Sequence, residues 1–293
     1  MDMERVTWIS PMAEKMLKEG GRVCGVFSSA LAISCGELAV TLQRDNIVTP
    51  LGGVLKRYNP ETWRGFLGEE VSWAGNMLLF GNRLCCDMSK ARRWQELSVE
   101  CLPAMKKTEY ARAKDELKRS LNNCRREMGA SLLLEMLGWS QGREPEDAKY
   151  FYRFGEHVKH FRQGILEADL SMIKKAQEGL VGLGTGLTPS GDDFLVGFWS
   201  AVQMHYRGRH MAVYGEAIDS LTNLSKRTTR YGWSELWAMQ QGLLSRPLAR
   251  AIKLEDFKEL SKIGGTTGAD TLLGIAEAFS LMEVLDEEEF WPG

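Results

Sequence analysis

The stretch Val71-Ser72-Trp73-Ala74-Gly75-Asn76-Met77-Leu78-Leu79-Phe80-Gly81-Asn82-Arg83-Leu84-Cys85-Cys86-Asp87 sets the architecture of the first third of the chain. Two apolar runs, Val71–Leu79 and Arg83–Asp87, flank Gly81-Asn82, a dipeptide whose tolerance of positive φ favours a β-hairpin turn. Toward the N-terminus, Val23–Ser34 and Leu38–Leu42 are also strand-like, and Asp45-Asn46 marks a turn before Ile47-Val48. Gly52-Gly53 interrupts Ile47–Leu55, which predicts a bend or bulge. These short runs predict a small antiparallel sheet or a partly closed barrel.

Beyond about residue 100 the apolar period changes from that of strands to that of helices. Glu109–Met128 is long, charged and rich in helix formers. Phe151, Phe154, Val158, Phe161 and Ile165 recur at three- and four-residue intervals, one face of an amphipathic helix. Asp169–Leu180, Asp193–His205, Met211–Lys226, Ser234–Leu244 and Asp270–Val284 also read as helices, several apolar enough to be buried on most sides. The acidic tail 286–289 reads as solvated. The expected fold class is α+β: a mainly β domain over residues 1–104, then a larger all-helical domain over 105–293.

Composition restricts the function classes. Across 293 residues the formal net charge is −2, with 44% hydrophobic and 26% charged residues, those of an ordinary globular protein. Nothing in that balance points to nucleic acid or an anionic membrane as partner. No window approaches the roughly 18 apolar residues of a membrane span. The first residues reach Pro11 and Glu14 without an apolar core of the kind a secretion signal carries, so a cytoplasmic location is expected. The six cysteines, Cys24, Cys35, Cys85, Cys86, Cys101 and Cys124, form no CxxC pair. The four histidines, His157, His160, His205 and His210, complete no zinc spacing. Cys85 and Cys86 read as small buried hydrophobes, and His157 with His160 as a helix surface.

Three segments depart from helix-and-turn composition. The first is Gly182-Leu183-Gly184-Thr185-Gly186-Leu187-Thr188-Pro189-Ser190-Gly191-Asp192-Asp193, leading into Phe194-Leu195-Val196-Gly197. The second is Arg227-Thr228-Thr229-Arg230-Tyr231-Gly232-Trp233-Ser234, and the third runs from Gly264 through Gly265-Thr266-Thr267-Gly268-Ala269-Asp270-Thr271 to Gly274. Residues 190–197 align without gaps to 267–274, both reading [Ser/Thr]-Gly-x-Asp-x-Leu-x-Gly. The echo predicts two equivalent loop-to-helix junctions that come together as a ligand site.

A structural account of each junction is available. Ser190 and Thr267 would be N-caps with Asp193 and Asp270 at the third helical position, a carboxylate form of the capping box favoured by the helix dipole. Gly197 and Gly274 would permit close helix packing. That account leaves over Asp192, whose counterpart is Ala269, and the loop Gly182–Thr188. A glycine-rich loop ahead of a helix N-terminus presents backbone N–H groups to a phosphate or carboxylate. It is neither a Walker A motif, lacking Gly-Lys-[Ser/Thr], nor a Rossmann fingerprint, since a helical segment precedes it.

Asp192, Asp193 and Asp270 would repel an anion unless offset by Lys226, Arg227, Arg230 or a divalent metal, with Mg²⁺ as the candidate. One coherent scheme has backbone amides holding an oxyanion while an aspartate orients an amine, an amide or a metal-bound water. The candidate catalytic residues are therefore Asp192, Asp193 and Asp270. The candidate binding residues are Gly184, Thr185, Gly186, Thr188, Ser190, Gly191, Arg227, Thr228, Thr266, Thr267 and Gly268. For Thr228, Thr229 and Ser234 a ligand role and a further cap are both open.

Residues 182–195, with Ile263 to Leu272, resemble the AllH family, long described as a domain of unknown function and also labelled a carboxylase. Family members usually carry Gly-Pro-Gly-Leu-Thr where this chain has Gly184-Thr185-Gly186-Leu187-Thr188. They often carry His-Thr-Ser-Gly where it has Gly265-Thr266-Thr267-Gly268, so any role of that histidine is absent here. The resemblance implies a subunit of oxamate carbamoyltransferase, acting with AllF- and AllG-like subunits in anaerobic allantoin breakdown. That enzyme converts oxalurate and phosphate to oxamate and carbamoyl phosphate, so the implied ligand is a small anionic metabolite of the phosphate, carbamoyl phosphate or oxamate class.

Three functions are compatible with these residues. In the first, a transferase subunit, Gly182–Gly191 holds the oxyanion, Asp192 orients or deprotonates the amide nitrogen, and Thr266-Thr267 complete the site. The second is a non-catalytic binding or assembly subunit. The third is a metal-dependent hydrolase or kinase-like enzyme with Mg²⁺ or Mn²⁺ at Asp192 and Asp193.

Overall fold

The computed structural model describes residues 2–44, 47–94, 97–98, 107–123 and 148–289. The chain divides into two compact units, Met1–Leu97 with Leu243–Arg246, and Ser98–Gly242 with Pro247–Gly293.

The first unit is a closed eight-stranded barrel, so the chain is α+β as expected. Its strands are β1 (Asp2–Ile9), β2 (Gly21–Val26), β3 (Ala30–Cys35), β4 (Leu38–Gln43), β5 (Gly52–Leu55), β6 (Glu70–Ala74), β7 (Met77–Phe80) and β8 (Leu84–Asp87). The order is β5-β4-β3-β2-β6-β7-β8-β1, and β1 closes the ring by pairing β5 antiparallel. A short ninth strand, β9 (Arg92–Arg93), continues alongside β1. Closure removes the unpaired edges that an open sheet exposes.

The expected hairpin is present, with Leu79 opposite Cys85 and Phe80 opposite Leu84 across the Gly81 turn. The run expected as one strand, Val71–Leu79, is two, because Gly75 takes φ +58 and folds β6 onto β7. Val23–Ser34 likewise splits into β2 and β3. The sheet is not wholly antiparallel: β1–β8 and β4–β5 pair in parallel. The irregularity expected at Gly52-Gly53 falls on the partner strand, between Val6 and Trp8 of β1. The Asp45-Asn46 turn lies outside the described residues.

Helix α1 (Pro11–Lys18) follows β1, with the Ser10 hydroxyl accepting from Ala13 N at 2.9 Å and Pro11 opening the first turn. Helix α2 (Pro60–Arg64) carries Trp63 into the barrel core, edge-on to Phe80 at 4.9 Å between ring centroids. Among the described residues Cys24, Cys35, Cys85 and Cys86 form no disulfide, and the last two are buried as expected. Cys101 and Cys124 lie outside the described residues.

The second unit contains helices α3 (Lys107–Asn123), α4 (Ala148–Glu167), α5 (Leu170–Leu180), α6 (Ser190–His205), α7 (Met211–Ser220), α8 (Arg230–Gln240) and α10 (Thr267–Glu289). Two 3-10 turns, Leu221–Arg227 and Leu260–Lys262, join them, and α9 (Arg246–Ile252) crosses from the first unit. Of the predicted face of α4, the side chain of Phe151 lies outside the described residues, and Phe154, Val158, Phe161 and Ile165 all lie in the core. They pack on α6, where Phe161 meets Phe198 at 4.8 Å and Trp199 at 5.5 Å. From Ser190 to His205 only Gln203 of α6 escapes full burial, which makes it the central helix of the unit. The side chains of the acidic tail lie outside the described residues. No helix among the described residues is long and apolar enough to cross a membrane.

Candidate functional site

Both echo segments are loop-to-helix junctions, and they are built alike. At the first, Leu183 N bonds Leu180 O at 2.9 Å at the end of α5, and Gly191 N bonds Leu183 O at 2.9 Å. At the second, Ile263 N bonds Leu260 O at 3.0 Å, and Gly268 N bonds Ile263 O at 3.0 Å. A Cβ on Gly191 would overlap the carbonyl of Leu180, and one on Gly268 that of Leu260. Further along, a Cβ on Gly197 would overlap the Thr271 carbonyl of α10, and one on Gly274 the Phe194 carbonyl of α6. Since Phe194 and Thr271 are counterparts in the motif, the contacts are reciprocal, and α6 and α10 cross with near two-fold symmetry. The loops meet where Thr188 Oγ1 lies 2.9 Å from Thr267 Oγ1.

The caps differ from expectation by one residue. Ser190 and Thr267 are the first helical residues. Pro189 is the N-cap of α6, with no side-chain cap bond, and its carbonyl accepts from Asp192 N (2.9 Å) and Asp193 N (3.1 Å). At the other junction the Thr266 carbonyl accepts from Asp270 N at 2.9 Å. Asp193 and Asp270 thus stand at the fourth helical position, beyond capping-box reach, and their side chains turn inward instead.

Asp192 is fully buried, and both its oxygens are engaged. Oδ1 accepts from Gly182 N at 2.9 Å, and Oδ2 accepts from the Thr228 hydroxyl. Gly182 has φ +75, and a Cβ there would overlap the Arg227 carbonyl, so this turn takes only glycine. Asp192 therefore ties the start of the glycine loop to the second segment. Burial still raises its pKa to about 6, against the lowering effect of these two bonds.

Asp193 and Asp270 are buried beside each other. Asp193 Oδ2 accepts from the Thr188 hydroxyl at 3.2 Å. Burial raises its pKa well above the carboxylate range, and the charges of Asp270, Glu235 and Asp192 raise it further, opposed by the Thr267 hydroxyl. Among the described residues neither oxygen of Asp270 has a partner in hydrogen-bonding geometry, and its side chain has no exposed surface. Burial lifts its pKa to about 7, with the Ser190 and Thr266 hydroxyls near enough to oppose the rise only in part. The reciprocity extends to these hydroxyls: Thr267 relieves Asp193 and its counterpart Ser190 relieves Asp270. Glu235 on α8, half-buried, is raised to about 7 by burial. Lys226, Arg227 and Arg230, the cations that could offset an anion's repulsion by these acids, are exposed.

The predicted binding residues differ in exposure. Thr185, Gly186 and Leu187 are exposed, as are Gly264 and Gly265, while Gly184, Thr188, Thr228, Thr266 and Thr267 are half-buried and Ser190, Gly191 and Gly268 buried. Thr229 proves to be the cap of α8, accepting from Gly232 N at 2.9 Å while its hydroxyl donates to Leu187 O. Ser234 donates back to Arg230 O at 2.6 Å within its own helix. Gly265 has open space where a side chain would stand. Glu235 is the acid that sequence reasoning missed; its signal is one carboxylate among Trp233, Leu236 and Trp237.

Among the described residues no group of three or more His, Cys, Asp and Glu is arranged to hold a metal ion. Both oxygens of Asp192 are engaged within the chain. In the barrel, an open cleft of about 510 Å³ is lined by Pro11, Glu14, Lys15, Lys18, Glu19 and Arg93. Its buried acid, Glu14, is already met by Lys18 at 2.8 Å and Arg93 at 2.7 Å. The barrel cleft neutralises itself; the helix junctions do not.

Fold and site together define an α+β protein whose helical unit holds uncompensated buried carboxyls beneath paired glycine-rich junctions. Residues 180–279, which contain both junctions, match the family model of the oxamate carbamoyltransferase subunit AllH. No curated protein and no solved structure matches the chain.

Proposed function

We propose that this chain is a subunit of an oxamate carbamoyltransferase-type enzyme that holds a small anionic metabolite, of the phosphate, carbamoyl phosphate or oxamate class, at the paired junctions. The observation that carries the reading is Asp270: a buried carboxyl without a partner, inside the segment that matches the family model. Such a group costs stability unless something binds it. The backbone amides of Gly184–Thr188 suit the anionic end of the ligand. Asp192 holds that loop in place and is a positioning residue, a different role from the proton transfer its sequence context suggested. In this reading the partners are AllF- and AllG-like subunits, the compartment is the cytoplasm, and the pathway is allantoin breakdown.

The reaction is phosphorolysis of oxalurate. A phosphate oxygen bonds the carbamoyl carbon, the bond from that carbon to the ureide nitrogen breaks, and the nitrogen takes a proton to leave as oxamate. Asp193, whose pKa burial and the neighbouring acids raise well above its ordinary value, is the carboxyl suited to that proton donation. The test is carbamoyl phosphate formation from oxalurate and phosphate by the chain assembled with its AllF- and AllG-like partners. Activity that requires this chain and falls at least about a hundredfold with Asp193→Asn and Asp270→Asn supports the reading. Full activity in both variants removes these carboxyls from the chemistry.

A second reading, a non-catalytic binding subunit, is favoured by the commitment of Asp192 to the loop. It predicts calorimetric binding of phosphate or oxamate with turnover unchanged by these substitutions.

A further inference from the structure

Asp192 and Asp270 are both buried acids of one site, yet their hydrogen bonding is opposite. Asp192 has both oxygens engaged within the chain, so it has little left to offer a ligand. Asp270 has two acceptor oxygens, fully enclosed, and among the described residues no donor lies in hydrogen-bonding geometry for either. Neighbouring donors do exist: the Thr188 hydroxyl serves Asp193 and contacts Thr267, and the Gly182 amide serves Asp192. The other two aspartates thus have donors in hydrogen-bonding geometry, whereas for Asp270 the nearest hydroxyls, those of Ser190 and Thr266, lie nearby but outside that geometry.

We infer that Asp270 is the specificity-determining acceptor of the site, receiving the N–H groups of an amide or ureido ligand on its two unpartnered oxygens. The inference rests on the proposed function for the identity of the ligand, while the recognition chemistry stands on Asp270 itself. A ureido group presents two parallel N–H donors, and a carboxylate with both oxygens vacant is their geometric complement, as it is for a guanidinium fork. In the two loops Thr185–Leu187 and Gly264–Gly265 are exposed, and the threonines at 188, 266 and 267 are half-buried. A ketone or carboxylate in place of the amide would leave Asp270 unsatisfied, or set charge against charge. Sites built to hydrogen-bond a ligand group reject analogues lacking it for this reason.

The test is calorimetry on the full chain, together with its partner subunits where they bind, using oxalurate, oxamate and pyruvate, the last carrying a methyl where oxamate has its amide. Oxalurate and oxamate are expected to bind at least about tenfold more tightly than pyruvate. Asp270→Asn, which places an N–H donor against the ligand's own donors, is expected to remove that preference and leave the affinity for inorganic phosphate unchanged. Its melting temperature is expected to equal or exceed the wild type's, since the variant removes a buried unpaired acid. A lower melting temperature accompanying the lost preference would make Asp270 a structural group and overturn the inference. So would equal affinity for oxamate and pyruvate in the wild type, or binding of Mg²⁺ alone that Asp270→Asn abolishes. Absent oxalurate turnover with intact amide preference would strike the proposed function and leave this inference standing.

Discussion

The barrel and the helical unit each bury an acid, and they treat it in opposite ways. Glu14, on α1 in the barrel, is 6% exposed and meets Lys18 and two nitrogens of Arg93. The Arg93 hydrogen bond and charge, with Lys18 beside it, hold its pKa below the ordinary glutamate value despite burial. Asp270 is more deeply buried and has no such neighbour. A fold that pairs one internal acid with two cations and leaves another unpaired is managing two tasks. The paired acid ties α1 to β9, and under the proposed function the unpaired one is held for a ligand.

The largest expected effect on this contrast is from Asp270→Asn. It should stabilise the protein by about 2 kcal/mol or more at pH 8, measured by urea unfolding, because an amide needs no charge buried. A loss of stability would place Asp270 with Glu14 among structural acids. Glu14→Gln should act in the opposite direction, costing about 1–2 kcal/mol at pH 7, a modest figure because the two cations reach solvent.

Opposite pH dependence should follow. Asp192, Asp193, Glu235 and Asp270 all have folded pKa values above their ordinary ones, to about 6 or 7 where a value is resolved. The folded helical unit then holds more protons than the unfolded chain between about pH 4 and 7, so its stability is greatest below that window and falls as pH rises through it. Glu14 works the other way: its contribution is present above its ordinary value and lost as pH falls through the lowered folded one. Hydrogen exchange in α6 against that in β3 and β4, followed from pH 5 to 7.5, reads both slopes. Parallel slopes would remove the contrast.

Within the helical unit a smaller test separates tether from ligand site. Asp192→Ala and Thr228→Val should couple by about 1 kcal/mol in a double-mutant cycle, since their side chains bond each other. The smallest effect belongs to Gly265→Ala, expected within about 0.5 kcal/mol of wild type by thermal unfolding, because the site of its Cβ is open.

What could be read before the structure depended on how local the cause was. The α4 face from Phe154 to Ile165, the Gly81 turn and the equivalence of the two junctions all follow from residues near in sequence. Barrel closure does not: β1 pairs β5, β8 and β9, and nothing local to residues 2–9 states those partners or that two of the three pairings are parallel. The one-residue shift of the caps arises because the Pro189 carbonyl accepts from both Asp192 N and Asp193 N, which the Ser190-Gly191 signature hides. That single residue turns Asp193 and Asp270 from caps into an inward pair. Asp192 stood out correctly as a residue that capping does not explain, and its engagement with Gly182 and Thr228 required the fold. Its counterpart Ala269 follows a shorter loop that has no such tether.

The most direct test is thermal unfolding of the wild type and Asp270→Asn at pH 8, each with and without saturating oxalurate. The expected result is a higher melting temperature for the variant alone, and an oxalurate-dependent rise in the wild type that the variant lacks. A variant that melts lower by itself, or gains the same rise with oxalurate, would contradict the claim that this buried acid is kept for a ligand.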